Sequence, residues 1–226
     1  MEKKAYKIAI VGPPSTGKTT LAYEVTHKLK KMGKVATFCP EYVRRWMSKH
    51  DTVPSIVLDQ FAILRGQLDL ENDLAKTQDI VVTDVAAWLG PVYASMLVGK
   101  DPTKNEMSDW YHVTDLIEKS LKNKYDLVFL LPRVFKLQEE AGRVQTEEAQ
   151  VDLIDRKIRA FITLFNMDVI ELAPENLEGW SDFIISEIVR HLYLDSEEYM
   201  ECQIKGYKEA GVWSEDNEAE HENKES

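Results

Sequence analysis

Cysteine is nearly absent from this chain. Only Cys39 and Cys202 occur in 226 residues, with no CxxC pair and no Cys/His cluster at metal-ligand spacing, which excludes a disulfide framework and gives no zinc site. Long apolar runs are missing too. The stretch 8–11 near the N-terminus stops at Gly12-Pro13-Pro14, far short of a signal-peptide core or a bilayer span, and the expectation is a soluble, cytoplasmic protein with no membrane partner. Positive charge is scarce: 28 Lys and Arg stand against 39 Asp and Glu, a formal net charge of -11. Nucleic acid is therefore not the default partner, and an anionic ligand must be met by cations focused at its own site. The five histidines, His27, His50, His112, His191 and His221, are scattered without partners at telling spacing, so Ser/His/Asp hydrolase chemistry is unsupported.

Hydrophobic residues make up 44% of the chain and aromatics 9%, enough for one compact α/β domain. Five short, β-branched runs, 6–11, 35–38, 80–83, 127–131 and 169–172, predict buried strands. Between them, Val57, Phe61, Leu64 and Leu68, and later Val151, Ile154, Ile158, Ile162 and Phe165, recur at helical spacing. This alternation predicts a five-stranded parallel sheet with helices on both faces, a three-layer sandwich. Residues 99–109, with Asp101-Pro102 and few apolar positions, read as an exposed loop, either a lid or a connection. Glu215, Asp216, Glu218, Glu220, Glu222 and Glu225 face only Lys224 at the end, the composition of a disordered, solvating tail. The expected partition is one domain over 1–194 and a C-terminal extension over 195–226.

The strongest signal is Gly12-Pro13-Pro14-Ser15-Thr16-Gly17-Lys18-Thr19. It fits GxxxxGK[ST], follows an expected strand and precedes a helical stretch over 20–31, the context a P-loop requires. Glycine permits the backbone angles that turn successive N–H groups inward, and the helix N-terminus adds a positive dipole end. Residues Gly12 to Thr19, with Thr20, are thus the expected nucleotide-binding segment. Lys18 would reach the β and γ phosphates, and Thr19 would place its hydroxyl on Mg²⁺. Pro13 and Pro14 donate nothing but stiffen the loop's entry.

A P-loop fixes the ligand class rather than the reaction, and the remaining chemistry is sought at the carboxyl ends of the strands. Asp84 ends the third strand, where it can organise Mg²⁺ opposite Thr19 or cap a helix over 85–98. Glu41 follows the second strand in Pro40-Glu41-Tyr42-Val43-Arg44-Arg45-Trp46. It is a candidate base for an acceptor hydroxyl, or a first-turn helix stabiliser, with Arg44 and Arg45 available to steady the acceptor. After the fourth strand, Glu139-Glu140-Ala141-Gly142-Arg143 suits a lid whose Arg143 neutralises charge on the transferred group; the alternative is an ion pair with Glu139 or Glu147, and Arg156 or Arg159 can replace it in the role. Trp88, Phe135 and Trp46 are candidate stacking surfaces for a base, or core.

At these residues the chain resembles the kinase domain of bifunctional ribosylnicotinamide kinase/nicotinamide-nucleotide adenylyltransferases over roughly 6–192. The likeness rests on the P-loop, Pro40-Glu41-Tyr42-Val43-Arg44-Arg45, Thr83-Asp84, Tyr125-Asp126-Leu127 and Glu140-Ala141-Gly142-Arg143. The Pro40 to Trp46 segment is also similar to one in deoxynucleoside kinases, where the glutamate serves as base. The lid lacks the family's tryptophan, and Asp84-Val85-Ala86 stands where deoxynucleoside kinases carry Glu-Arg-Ser. The resemblance implies a nucleoside- or nucleotide-kinase-like P-loop fold, with ATP and Mg²⁺ as cofactors. It also implies ATP-dependent phosphorylation of a ribose 5′-hydroxyl. Taken with the residues, the reading is transfer of the γ-phosphoryl group to a hydroxyl of a nucleoside-like small molecule, with Lys18, Glu41, Asp84 and Arg143 as the catalytic residues and Trp88 beside the substrate. A kinase acting on a nucleotide or on a hydroxyl in DNA or RNA, and a P-loop ATPase or switch, are the alternatives.

Overall fold

A computed structural model describes residues 5–97, 108, 111–112, 115, 124–135 and 147–193. The chain divides into two compact units, Met1–Asp182 and Phe183–Ser226, and the sheet and the site lie in the first. The expected loop at 99–109, apart from residue 108, and the expected lid residues Glu139, Glu140, Gly142 and Arg143 lie outside the described residues, as does the acidic tail.

The elements run β1 (Tyr6–Val11), α1 (Lys18–Lys31), β2 (Ala36–Cys39), α2 (Tyr42–His50), α3 (Val57–Ala75), β3 (Ile80–Thr83), α4 (Gly90–Leu97), β4 (Leu127–Leu130), α5 (Glu148–Leu164), β5 (Ile170–Glu171) and α6 (Trp180–Tyr193). The five strands are all parallel in the order β2-β3-β1-β4-β5. Helices flank the sheet in the arrangement of P-loop nucleotide kinases. Among the described residues no helix is long and apolar enough to cross a membrane.

β1 is central because its side chains are apolar on both faces. Ile8, Ala9, Ile10 and Val11 are fully buried, as a parallel sheet covered by helices on each side demands. Strand alternation sends Ala9, Val11, Val128 and Leu130 to one face, where they meet Leu64 of α3, Val92 of α4 and Ile154, Ile158 and Phe161 of α5. β2 begins one residue later than the run 35–38, and β5 keeps only the middle of 169–172. β4 ends at Leu130, although the Leu131 amide still donates to Val11 O at 2.8 Å.

The helix expected directly after Asp84 begins later. Ala86 is extended, residues 87–89 make a three-ten turn, and α4 opens only at Gly90, with Pro91 in its first turn where a missing N–H costs nothing. Asp84 therefore caps no helix; its carboxylate is used elsewhere.

Candidate active site

β1 occupies the position where the connections leave for opposite sides of the sheet, between β3 and β4. Ligands of open α/β sheets gather at such a switch, beyond the strand carboxyl ends. The loop that follows β1 is held by three unusual backbone angles: Gly12 at φ 151, Ser15 at φ 63 and Gly17 at φ 82. Gly12 is obligatory for a second reason, since a Cβ there would lie 2.9 Å from the Leu131 backbone oxygen at the end of β4. Inside the loop the Pro13 carbonyl accepts from Thr16 Oγ1 at 2.9 Å and from Lys18 Nζ at 2.7 Å. Proline thus contributes an acceptor in place of the donor it lacks. Gly17 is the N-cap residue of α1, and no side chain caps the helix's first amides, the open end that an anion can fill.

A cavity of about 840 Å³ opens here, lined by Pro14, Ser15, Thr16, Gly17, Lys18, Thr19 and Thr20 on one wall. Gly12 and Pro13 do not line it; they shape the loop from behind. The cavity continues past Glu41, Arg44 and Asp84 into a chamber between α2, α3 and α4, where Gln60, Ile63, Tyr93, Met96 and Leu97 form the wall. The structure thus brings together Lys18, Thr19, Asp84, Glu41 and Arg44, drawn from the ends of three strands. Arg44 Nε lies 3.8 Å from Glu41 Oε2.

Thr19 Oγ1 donates to Asp84 Oδ2 at 2.5 Å, and Asp84 Oδ1 is buried with no hydrogen-bond partner. Burial holds the Asp84 carboxyl above its ordinary value, against the opposing pull of the Thr19 hydrogen bond, Lys18 and Arg44. A buried carboxylate oxygen without a partner beside a hydroxyl is a donor pair suited to a hard cation. Among the described residues no three His, Cys, Asp or Glu side chains group as a metal site, so such a cation would take its other ligands from phosphate and water, the habit of Mg²⁺. Residues Thr19 and Asp84 fit that ion.

Five other candidate residues do not line the cavity. Trp88 is 1% exposed and belongs to the core under α3 and α4 rather than to the cavity. Trp46 is buried and stacks on His50 with centroids 4.4 Å apart. Arg45 is exposed and outside the cavity lining, as is Arg156. Arg159 is occupied by Asp155 and, through two hydrogen bonds of 2.6 and 3.0 Å, by Glu171 at β5. Of the aromatics, Phe135 does line the cavity, with a ring carbon 3.7 Å from where a Cβ of Gly17 would stand.

Reading by strand ends missed Tyr23 and Phe38, whose rings lie 4.3 Å apart at one edge of the cavity. It also missed Tyr93, whose phenol is pushed up by burial and then by Glu41 and Asp84. Leu89, Tyr93, Met96 and Leu97 share a helical stripe that looks like core in sequence and lines the chamber in space.

Residues 7–179 match the model of the family described as AAA domain. No curated protein matches the chain. Among solved structures, NadR protein in complex with NAD and AMP-PNP is 21% identical at TM-score 0.58, covering 75% of this chain and 44% of its own, and a NadR complex with NR scores the same over 74% and 44%. The chain therefore spans less than half of the NadR structures. Thymidylate kinase from Candida albicans is 14% identical at TM-score 0.56, covering 83% of this chain and 94% of that one. Deoxyadenosine kinase from M. mycoides with bound dATP is 16% identical at TM-score 0.51, covering 81% and 98%. These likenesses speak to the fold.

Proposed function

The chain belongs to the AAA domain family and is a P-loop NTPase related in fold to nucleoside and nucleotide kinases; on that footing we propose that it is an ATP-dependent kinase that phosphorylates a hydroxyl of a nucleoside-like small molecule. The observation that carries this reading is the continuity of the cavity. One space of about 840 Å³ joins the phosphate loop, the Thr19–Asp84 pair and a chamber walled by Glu41, Gln60 and Tyr93. A triphosphate alone does not need that chamber, and an acceptor does.

In the transfer, the acceptor oxygen forms a bond to the γ phosphorus as the bond to the bridging β–γ oxygen breaks, and ADP leaves. Glu41 accepts the hydroxyl proton. Lys18 leaves the Pro13 carbonyl for the phosphates, while the loop amides and the start of α1 hold the β phosphate. Thr19 and Asp84 would hold magnesium, which would supply neutralisation of the negative charge on the phosphates. Arg44, near Glu41, orients the acceptor. The chemistry is positioning and electrostatics throughout. The NR ligand of one NadR complex and the name of another fold relative, a deoxyadenosine kinase, support a riboside or deoxyriboside as acceptor, and Arg143 remains the lid candidate.

The test incubates the protein with ATP, magnesium and pooled ribosides, deoxynucleosides and nucleoside monophosphates, with mass-resolved detection of products. A product heavier by one phosphoryl group, absent with Lys18→Ala, is expected. ADP formation that never exceeds the acceptor-free rate overturns the reading, and hydrolysis without any phosphorylated product favours an ATPase or switch instead.

A further inference from the structure

Running inward from the chamber wall, which Gln67 helps to line, is a buried polar chain to which the proposed chemistry gives no part. Gln67 is 3% exposed and Glu71 fully buried, one turn apart on α3. Gln67 Oε1 accepts the Tyr42 N–H at 2.8 Å, which fixes the amide so that its Nε2 is the donor. That nitrogen donates to Glu71 Oε1 at 3.1 Å and lies 3.4 Å from Thr83 Oγ1 and 3.5 Å from Cys39 Sγ, the last residues of β3 and β2. Glu71 Oε1 also accepts from the Tyr125 hydroxyl at 2.9 Å, and that hydroxyl accepts the Ala87 N–H at 2.7 Å. Both ends of the chain are backbone donors, so Gln67 and Tyr125 must each pass a hydrogen to Glu71. One end is Tyr42, the residue after Glu41. The other is Ala87, three residues beyond Asp84.

We infer that Gln67, Glu71 and Tyr125 are positioning residues, a hydrogen-bonded chain that fixes Glu41 at the start of α2 relative to Asp84 at the end of β3, and so aligns an acceptor hydroxyl with the γ-phosphoryl group. This rests on the kinase reading. The links from Gln67 through Glu71 and Tyr125 to Ala87 are buried and the Tyr42 link partly so; in such surroundings hydrogen bonds polarise one another and solvent does not readily make good the loss of a partner. The arrangement carries a cost that simple packing would avoid: Glu71 Oε2 is buried with no partner, and burial pushes the carboxyl up. An apolar side chain of similar size would fill the space without that penalty. A double acceptor is what the two donors require.

The groups that bear on Glu71 are Lys7 of β1 and Lys124 ahead of β4, which favour its charge, with the Tyr125 hydroxyl and the Cys39 thiol beside it. Gln67→Glu keeps the acceptor for Tyr42 but sets a second carboxylate against Glu71. Its kcat is expected to fall by roughly ten- to a hundredfold at high pH and to recover as the pH drops and one carboxyl takes up a proton, a dependence the wild type lacks. Nucleotide affinity without magnesium stays within about twofold, because the phosphate loop shares no partner with the chain. Glu71→Gln retains an acceptor oxygen and regains most of the rate that Glu71→Leu loses. Independently of any acceptor, amide hydrogen exchange in Gln67→Glu and in Glu71→Leu accelerates at both Tyr42 and Ala87. Exchange that changes at Tyr42 alone, or kcat and magnesium-free nucleotide affinity falling in parallel, overturns the inference. If the wild type phosphorylates nothing, the kinase reading fails, and the exchange data alone decide whether the chain couples the two strand ends.

Discussion

Thr19 and Asp84, 65 positions apart in sequence, are joined by a 2.5 Å hydrogen bond that closes the phosphate loop against the end of β3. The same contact leaves the second Asp84 oxygen buried and without a partner. Burial of that oxygen favours protonation of the carboxyl, and a cation bound there would oppose it.

Asp84→Asn separates stability from function. The carboxyl titrates above its unfolded value of 3.8, so folding takes up a proton: its contribution is fully present below that value and is lost as the pH rises through the folded value. At neutral pH the Asn variant is expected to be more stable without ligand by about 1 kcal/mol, and the difference should vanish in acid. Nucleotide binding should at the same time lose its magnesium dependence. Denaturant titrations at two pH values and calorimetry with and without magnesium check both halves; a variant less stable at neutral pH contradicts the account.

Gly12→Ala places a methyl against the Leu131 carbonyl at a backbone angle, φ 151, that L-residues rarely adopt. A loss of about 1–3 kcal/mol is expected, with nucleotide affinity falling because the loop amides turn away. Chemical denaturation and nucleotide titration measure the two effects. Retention of both would mean that the loop does not need this glycine.

Gly66→Ala reverses a familiar rule. Alanine inside a helix normally stabilises it by roughly 0.5–1 kcal/mol over glycine, but here the new Cβ would stand 2.1 Å from the Tyr42 ring, which covers Gly66. The ring must swing out, disturbing the start of α2 next to Glu41. The expected result is no gain in thermal stability and a raised acceptor KM with nucleotide affinity unchanged. A stabilised variant with wild-type kinetics would show that Tyr42 moves freely.

Glu41→Gln removes the proposed proton acceptor and keeps the side chain's shape. Single-turnover phosphorylation should slow by roughly 10²- to 10⁴-fold, with acceptor binding little changed. A slowing under tenfold assigns the proton elsewhere, Asp84 being the other carboxylate in the cavity.

Much of this was legible from residue order. β1 and β3 fall on their apolar runs without a shift, since four consecutive residues that are apolar or β-branched, bounded by turn formers, have few other uses. The phosphate loop was equally clear, because its demands are local: glycines where the backbone turns left-handed, a lysine, and a hydroxyl at a fixed offset. Aromatics misled. Trp88 and Tyr93 both belong to the stretch after Asp84, and hydropathy does not distinguish the one that enters the core from the one that faces the chamber. The delayed start of α4 was hidden as well, because the Asp84 carboxylate that would have capped a helix is engaged by a threonine far away in sequence.

The sequence by itself determined the parallel sheet, the anion-binding loop and the need for locally focused charge, since each follows from near-neighbour patterns. Only the tertiary structure decided that Glu41 and Asp84 share a cavity, that Arg159 is committed to Glu171, and that Gln67, Glu71 and Tyr125 form one chain. Backbone dihedrals and periodicity act over a few residues, whereas a side chain's partner is fixed by which strands become neighbours, and that ordering is settled only when the whole core is buried at once.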